Sequence, residues 1–308
     1  MLMSQFKMEV IDIVDTEDGG AKVTLELDDE TRNFIKKHKE HTFKSNDIEM
    51  NYRFFGTGEQ TILILMGSSM FPTEAYFKII DPLSEDYRIL TIDYPHEIQN
   101  MIQLIDLIKA LVVSLKIENL TIFGASHGGS LAQGFASMYP DLVDHLVLYN
   151  TLTKSKEMNQ ASKQIIIDVL TVIDELVELR KTMPLDNVKG VFLEQVEQMI
   201  VDDSEIDLFE HMIVHYEEKD EQLQMKLIKS FLTTFEFSTE DFSFLGNQVL
   251  ILYGHDNDPF GGSELIETLV DLFDSPHLEF IESNRFSLII NADEIVSKIN
   301  YFLKEKTA

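Results

Sequence analysis

The run Asn119-Leu-Thr-Ile-Phe-Gly-Ala-Ser-His-Gly-Gly129 constrains this chain more than any other stretch. An apolar strand runs to Gly124, Ser126 follows two residues later, and small residues open a helix at once. The spacing G-x-S-x-G in that context predicts a sharp strand-to-helix turn. A serine on so tight a turn takes strained backbone angles, and side chains at 124 and 128 would strike neighbouring backbone. The turn lifts the Ser126 hydroxyl above the sheet. It also puts the His127 N–H at a helix N-terminus, where it can stabilise negative charge on an oxygen. Leu131, Phe135 and Met138 then share one helical face.

The flanking segments alternate between buried strands and amphipathic helices. Thr42–Asp47 and Ile48–Phe55 read as a hairpin, and Thr61–Gly67 as a buried strand. A helix near 74–80 precedes the strand Tyr87–Tyr94. Ile98, Met101, Ile102, Ile105, Ile108, Leu111 and Val112 mark a long helix, and Asp144–Asn150 is a strand after the serine helix. This alternation predicts an α/β fold with a doubly wound, mostly parallel sheet. It stops near residue 152. Residues 153–240 are acid-rich and helical in period, with Leu170, Val172, Ile173, Leu176 and Leu179 read as one face, Phe192, Val196 and Ile200 as a second helix, and Leu208, Met212 and Ile213 as a third. Met158, Met183, Met199, Met212 and Met225 suit the core of this insertion. Gln248–Gly254 restarts the sheet, followed by a helix at 263–273, a strand at 277–282 and a helix from 293 to 304.

The expected organisation is therefore a core over 41–152 and 241–308, with a helical lid over 153–240 above the carboxyl ends of the strands. Residues 1–40 form a ββα appendage, with strands at 10–14 and 21–27, a turn at Asp18-Gly19-Gly20 and a helix capped by Asp28 or Asp29. It could add to a sheet edge or mediate association.

Charge narrows the partners. Lys and Arg number 25 against 54 Asp and Glu, a net charge of −29. Such an excess repels phosphate backbones and anionic membranes, so no nucleic acid and no membrane is expected. A small-molecule substrate or ligand is the expected partner, and a homo-oligomer stays open. No apolar run reaches spanning length. The first residues lack a charged-then-apolar signal pattern, and cysteine is absent, so a cytoplasmic location is the expectation. No motif calls for a cofactor.

Together these pieces resemble the α/β-hydrolase superfamily over about 41–305. The resemblance implies a nucleophile, an acid and a histidine, in that order along the chain. Ser126 takes the first place. The acid would follow the strand after the lid, within Gly254-His-Asp-Asn-Asp-Pro-Phe260. Matching an Asp-Pro pair selects Asp258; Asp256 is the alternative, and strict counting from Gly254 falls on Asn257. A turn or helix-cap carboxylate would give the same pattern. The histidine would sit in the turn before the last helix, where this chain has Asn284-Arg285-Phe286. A guanidinium with a pKa above about 12 is no general base near neutral pH. Arg285 can instead hold an anionic ligand or pair with Asp256 or Asp258.

His255, on the acid loop, and His96, after Asp93-Tyr94-Pro95, are the candidate surrogate bases. His127 follows the serine and is expected to point away along the helix. His211 and His215 stand four apart on a lid helix, a spacing that suits zinc. No third ligand is specified, so no metal site is expected. The second oxyanion amide would come from Ser68 or Ser69, with Gly67 allowing close backbone approach. Two functions follow. One is a serine hydrolase of small esters or thioesters acting through Ser126. The other is a degenerate relative in which Arg285 anchors an anionic small molecule, or which binds a protein partner.

Overall fold

In a computed structural model of the chain, the structure describes residues 12–15, 21–24, 29–67, 71–199, 209–210, 212–254, 263–282 and 286–307. Eight strands form the main sheet: β3 (His41–Ser45), β4 (Ile48–Gly56), β5 (Thr61–Leu65), β6 (Arg88–Ile92), β7 (Leu120–Ala125), β8 (Val143–Tyr149), β9 (Val249–Gly254) and β10 (His277–Ile281). Their spatial order is β3-β4-β6-β5-β7-β8-β9-β10, with β4 alone running against the rest. The hairpin β3–β4 turns at Asn46 and Asp47, both at positive φ, as a two-residue hairpin turn requires.

The central strands are apolar throughout because both faces are covered. Leu63, Leu65 and Ile122 face one side, with α3 (Met101–Ser114), α4 (His127–Met138) and the helix at 263–270. Ile62, Ile64 and Phe123 face the other, with α1 (Asp29–Lys37), α2 (Phe77–Leu83) and the helix at 293–307. The helix expected over 263–273 ends at Val270.

Strands β1 (Asp12–Asp15) and β2 (Ala21–Thr24) pair with each other in a separate two-stranded sheet. They do not extend the main sheet, which corrects the edge-strand expectation. The turn at 18–20 lies outside the described residues, as do Val10 and Asp28. Helix α1 fixes itself to the core through His38. Its ring stacks on Phe55 at 3.6 Å, and its Nε2 lies 2.7 Å from Asp81 Oδ1.

Between β8 and β9 the chain is helical, with α5 (Gln160–Arg180), α6 (Leu185–Met199) and α7 (Glu218–Thr234). A single parallel bridge, Ser155 to Phe237, ties the two ends of this insertion together. It is one strand-like contact in a segment expected to have none. Phe192, Val196, Met212 and Ile213 are buried as expected, while Ile200 and Leu208 lie outside the described residues. The face expected along α5 is only half right. Ile173 is buried, whereas Val172, Leu176 and Leu179 are 52%, 41% and 44% exposed. Apolar spacing specified the helix, but Val172, Leu176 and Leu179 lie on flanks of α5 that no other element covers among the described residues. Among the described residues, no helix is long and apolar enough to cross a membrane.

Candidate active site

Strand pairing alone brings two loops together. Leu65 of β5 lies opposite Gly124 of β7. Two residues beyond each partner stand Gly67 and Ser126, at the carboxyl edge of the sheet. The chain leaves β5 toward β6 on one side and β7 toward β8 on the other, so this edge is a topological switch point.

Ser126 sits at φ 52°, ψ −123°, as the N-cap of α4. These angles mirror the first central position of a type II turn, a conformation glycine favours. Residues 120–125 and 127–136 are buried, while Ser126 is exposed. The glycines around it are required by contact. A Cβ on Gly124 would lie 2.6 Å from Gly128 O and from Gly129 Cα. One on Gly128 would lie 2.1 Å from Leu65 O, and one on Gly67 would lie 2.6 Å from Ser126 Cβ and 2.7 Å from the His127 amide nitrogen. The expected close approach of Gly67 to the serine is therefore present. Ser68 and Ser69 lie outside the described residues.

The turn is held from behind by groups the sequence reading missed. The Ser126 N–H donates to Tyr149 O at 2.9 Å, and the Thr151 hydroxyl donates to Ser126 O at 2.6 Å. The Gly129 N–H donates to Ser126 O at 3.0 Å. Gln133 Nε2 donates to Gly129 O and to Leu152 O, and the Tyr253 hydroxyl donates to Thr151 O. Asn150, at φ 43°, accepts from the Gly254 N–H through Oδ1 at 2.9 Å. Thus the ends of β7, β8 and β9 form one hydrogen-bonded frame behind the serine. Small polar residues at two successive strand ends, Ser126 after β7 and Asn150-Thr151 after β8, were the sequence signal for it.

His127 is buried, and its Nε2 has no hydrogen-bond partner among the described residues. Burial pushes its imidazole down to about 4, so the ring is neutral near pH 7. Its backbone amide lies in the first turn of α4, where helical N–H groups lack an intrahelical acceptor. His96 stands on the turn after β6. Its Nε2 is 2.6 Å from Asp220 Oδ1, in the first turn of α7. That ring nitrogen is engaged with the insertion. The same loop is fastened further along, by Lys226 Nζ to Ile98 O and by the Met101 N–H to Ser230 Oγ.

Beside His96, the Tyr94 hydroxyl donates to Met66 O at 2.9 Å, and Thr73 Oγ1 donates to Asp93 Oδ1 at 3.0 Å. Burial pushes the Tyr94 phenol above its usual range, so it stays a donor. Burial likewise raises the Asp93 carboxyl, against the lowering effects of Thr73 and Arg53. Phe71, Phe192, Phe209 and Phe286 form an aromatic cluster. It joins the loop after β5, the insertion and the turn after β10, with ring centroids 4.8–6.3 Å apart.

Four further candidates lie outside the described residues: His255, Asp256 and Asp258 after β9, and Arg285 after β10. His211 lies outside them too. Among the described residues, no cluster of three or more His, Asp or Glu could hold a metal ion.

The family model described as alpha/beta hydrolase fold matches residues 65–185. A proline iminopeptidase, PfmaB, from Pestalotiopsis fici is 28% identical over 168 residues, which is 51% of this chain and 58% of that protein. The chain thus matches less than two thirds of that relative's length. A hydrolase from Pseudomonas aeruginosa superposes with a TM-score of 0.67 at 15% identity, covering 86% of this chain and 98% of its own. The meta-cleavage product hydrolase of Pseudomonas fluorescens gives 0.59 at 19% identity, covering 86% and 98%. Likeness at such low identity shows the fold. Strand order, the strained serine turn and the partial family match agree that the chain has the α/β-hydrolase fold.

Proposed function

We propose that the protein is a serine hydrolase that cleaves small esters or thioesters through Ser126. The observation that carries this reading is the conformation of Ser126. It holds φ 52°, ψ −123°, with its side chain exposed between buried neighbours, at the N-terminus of α4 and against Gly67. In this reading Ser126 Oγ attacks the carbonyl carbon while a base removes its proton. The carbonyl π electrons move to oxygen, and the His127 amide, with one from Ser68 or Ser69, holds that oxygen. Collapse expels the alcohol or thiol and leaves an acyl-serine, which water hydrolyses. Asp258 or Asp256 is the acid and His255 the first candidate base, because His96 already gives Nε2 to Asp220. The insertion over 153–240 is the lid.

A second reading is supported by Arg285 at the place where the family carries its histidine. A degenerate member would keep the turn and use Arg285 to hold an anionic small molecule. Loss of a triad base costs up to roughly 10⁶ in kcat in a serine protease. One experiment separates the two. A fluorophosphonate probe and p-nitrophenyl acetate are offered to the wild type, Ser126→Ala, His255→Ala, His96→Ala and Arg285→His. The hydrolase reading expects rapid labelling and turnover, lost in Ser126→Ala and strongly cut in one histidine variant. Absent labelling in the wild type, gained in Arg285→His, would establish the degenerate reading instead.

A further inference from the structure

We propose that Asp93 and Tyr94, consecutive residues leaving β6, are positioning residues that fasten Met66 and Thr73, on either side of Gly67, and so hold Gly67 against Ser126 and the His127 amide. The inference rests on reading Ser126 as the nucleophile. Strand register explains why these two residues reach the loop after β5. Ile64 of β5 pairs with Thr91 of β6, so Met66 and Asp93 leave the sheet side by side. Tyr94 donates its hydroxyl to Met66 O on one side of Gly67, and Asp93 accepts the Thr73 hydroxyl on the other. The clamp is itself anchored, because the Asp93 N–H donates to Asn51 O on the neighbouring strand at 2.9 Å.

At Gly67 there is little room. A Cβ on Gly67 would lie 2.6 Å from Ser126 Cβ and 2.7 Å from the His127 nitrogen, so Gly67 already abuts the reacting region with no side chain. A loop displaced by a few tenths of an ångström would change the space an oxyanion must share with the His127 amide. Misplacement of about 1 Å can cost roughly 100-fold in rate. Both clamping residues act through the loop, so their removal should cost less than outright loss of an oxyanion donor, which is about 10²–10³ in kcat.

The test uses Tyr94→Phe, Thr73→Val and the double variant, each checked for an unchanged melting temperature. The second-order labelling rate by a fluorophosphonate is measured, with kcat and KM for p-nitrophenyl acetate. Tyr94→Phe should lower kcat and the labelling rate about 10-fold with KM within about twofold. Thr73→Val should do the same more weakly. The double variant should lose less than the product of the two, because both act on one loop. A reactive wild type with an equally reactive, equally stable Tyr94→Phe overturns the clamp alone. A change confined to KM overturns it too, since that is loss of binding and not of positioning. A wild type that no probe labels overturns the nucleophile reading, and the clamp's catalytic role falls with it.

Discussion

Replacing Ser126 by glycine should make the protein more stable, and the size of the gain measures how strained the serine is. At φ 52°, ψ −123° an L-residue carries a cost of roughly 1–3 kcal/mol that glycine does not. Against this, glycine raises the entropy of the unfolded chain by about 0.4–1 kcal/mol. The Ser126 side chain is exposed, so deleting it removes little packing. The net expectation for Ser126→Gly is a gain of about 1 kcal/mol over wild type. Ser126→Ala keeps the Cβ and hence the strain, so it should match wild type. In a chain of this size such a gain moves the melting temperature by only about 1.5 °C. Urea unfolding at pH 7.5, with all three proteins fitted to a common slope, gives the comparison directly. Neither variant should retain turnover. If Ser126→Gly is no more stable than Ser126→Ala, the turn stores no strain, and the argument from backbone conformation to function fails.

Acid should unfold the protein partly through His127, whose folded imidazole titrates near 4 against an ordinary 6.5. The neutral ring's contribution is complete above about pH 6.5 and falls away as pH drops toward 4, by about 3 kcal/mol in all. A His127→Gln variant should show a flatter decline of urea midpoint between pH 7 and 4.5, and identical slopes would refute the assignment. Glycine substitutions should split by surroundings. Gly128→Ala puts a Cβ 2.1 Å from Leu65 O, a backbone atom, and should cost more than about 3 kcal/mol. Gly190→Ala, inside α6 with nothing within 4 Å, should add about 0.5–1 kcal/mol. Thermal midpoints of the two variants would check both signs.

Much of the frame was legible because its signals are local. The run 119–129 carries strand, turn and helix in eleven residues, and the alternation of apolar segments gave the α/β class. What escaped depends on residues far apart in sequence. Thr151 reaches Ser126 across 25 residues, and Tyr253 reaches Thr151 across 102. No periodicity encodes such contacts; they exist only once strand order places three strand ends together. Tyr94 escaped for the same reason, since its partner Met66 follows β5, a strand adjacent in space but earlier in the chain. Helix α5 shows the opposite failure. Its apolar spacing is real, yet Val172, Leu176 and Leu179 remain exposed, because spacing specifies a helix face and not what covers it.

The constraints around Ser126 divide into those the fold demands and those it does not. Gly124, Gly128 and Gly129 let α4 pack on β5, β7 and the Thr151 side chain; any protein with this sheet and this helix contact needs small residues there. Ser126 and Gly67 are different. Packing would be served as well, and backbone strain better, by glycine at 126. Gly67 is confined chiefly by Ala125 O, by the serine's own Cβ and by the His127 amide nitrogen. A hydroxyl is thus carried in a costly conformation, exposed among buried neighbours, at the positive end of a helix and beside a backbone that leaves it open. None of these features adds stability by packing. They coincide at one atom, the Ser126 Oγ, and the attack on a carbonyl that we propose would use all of them together.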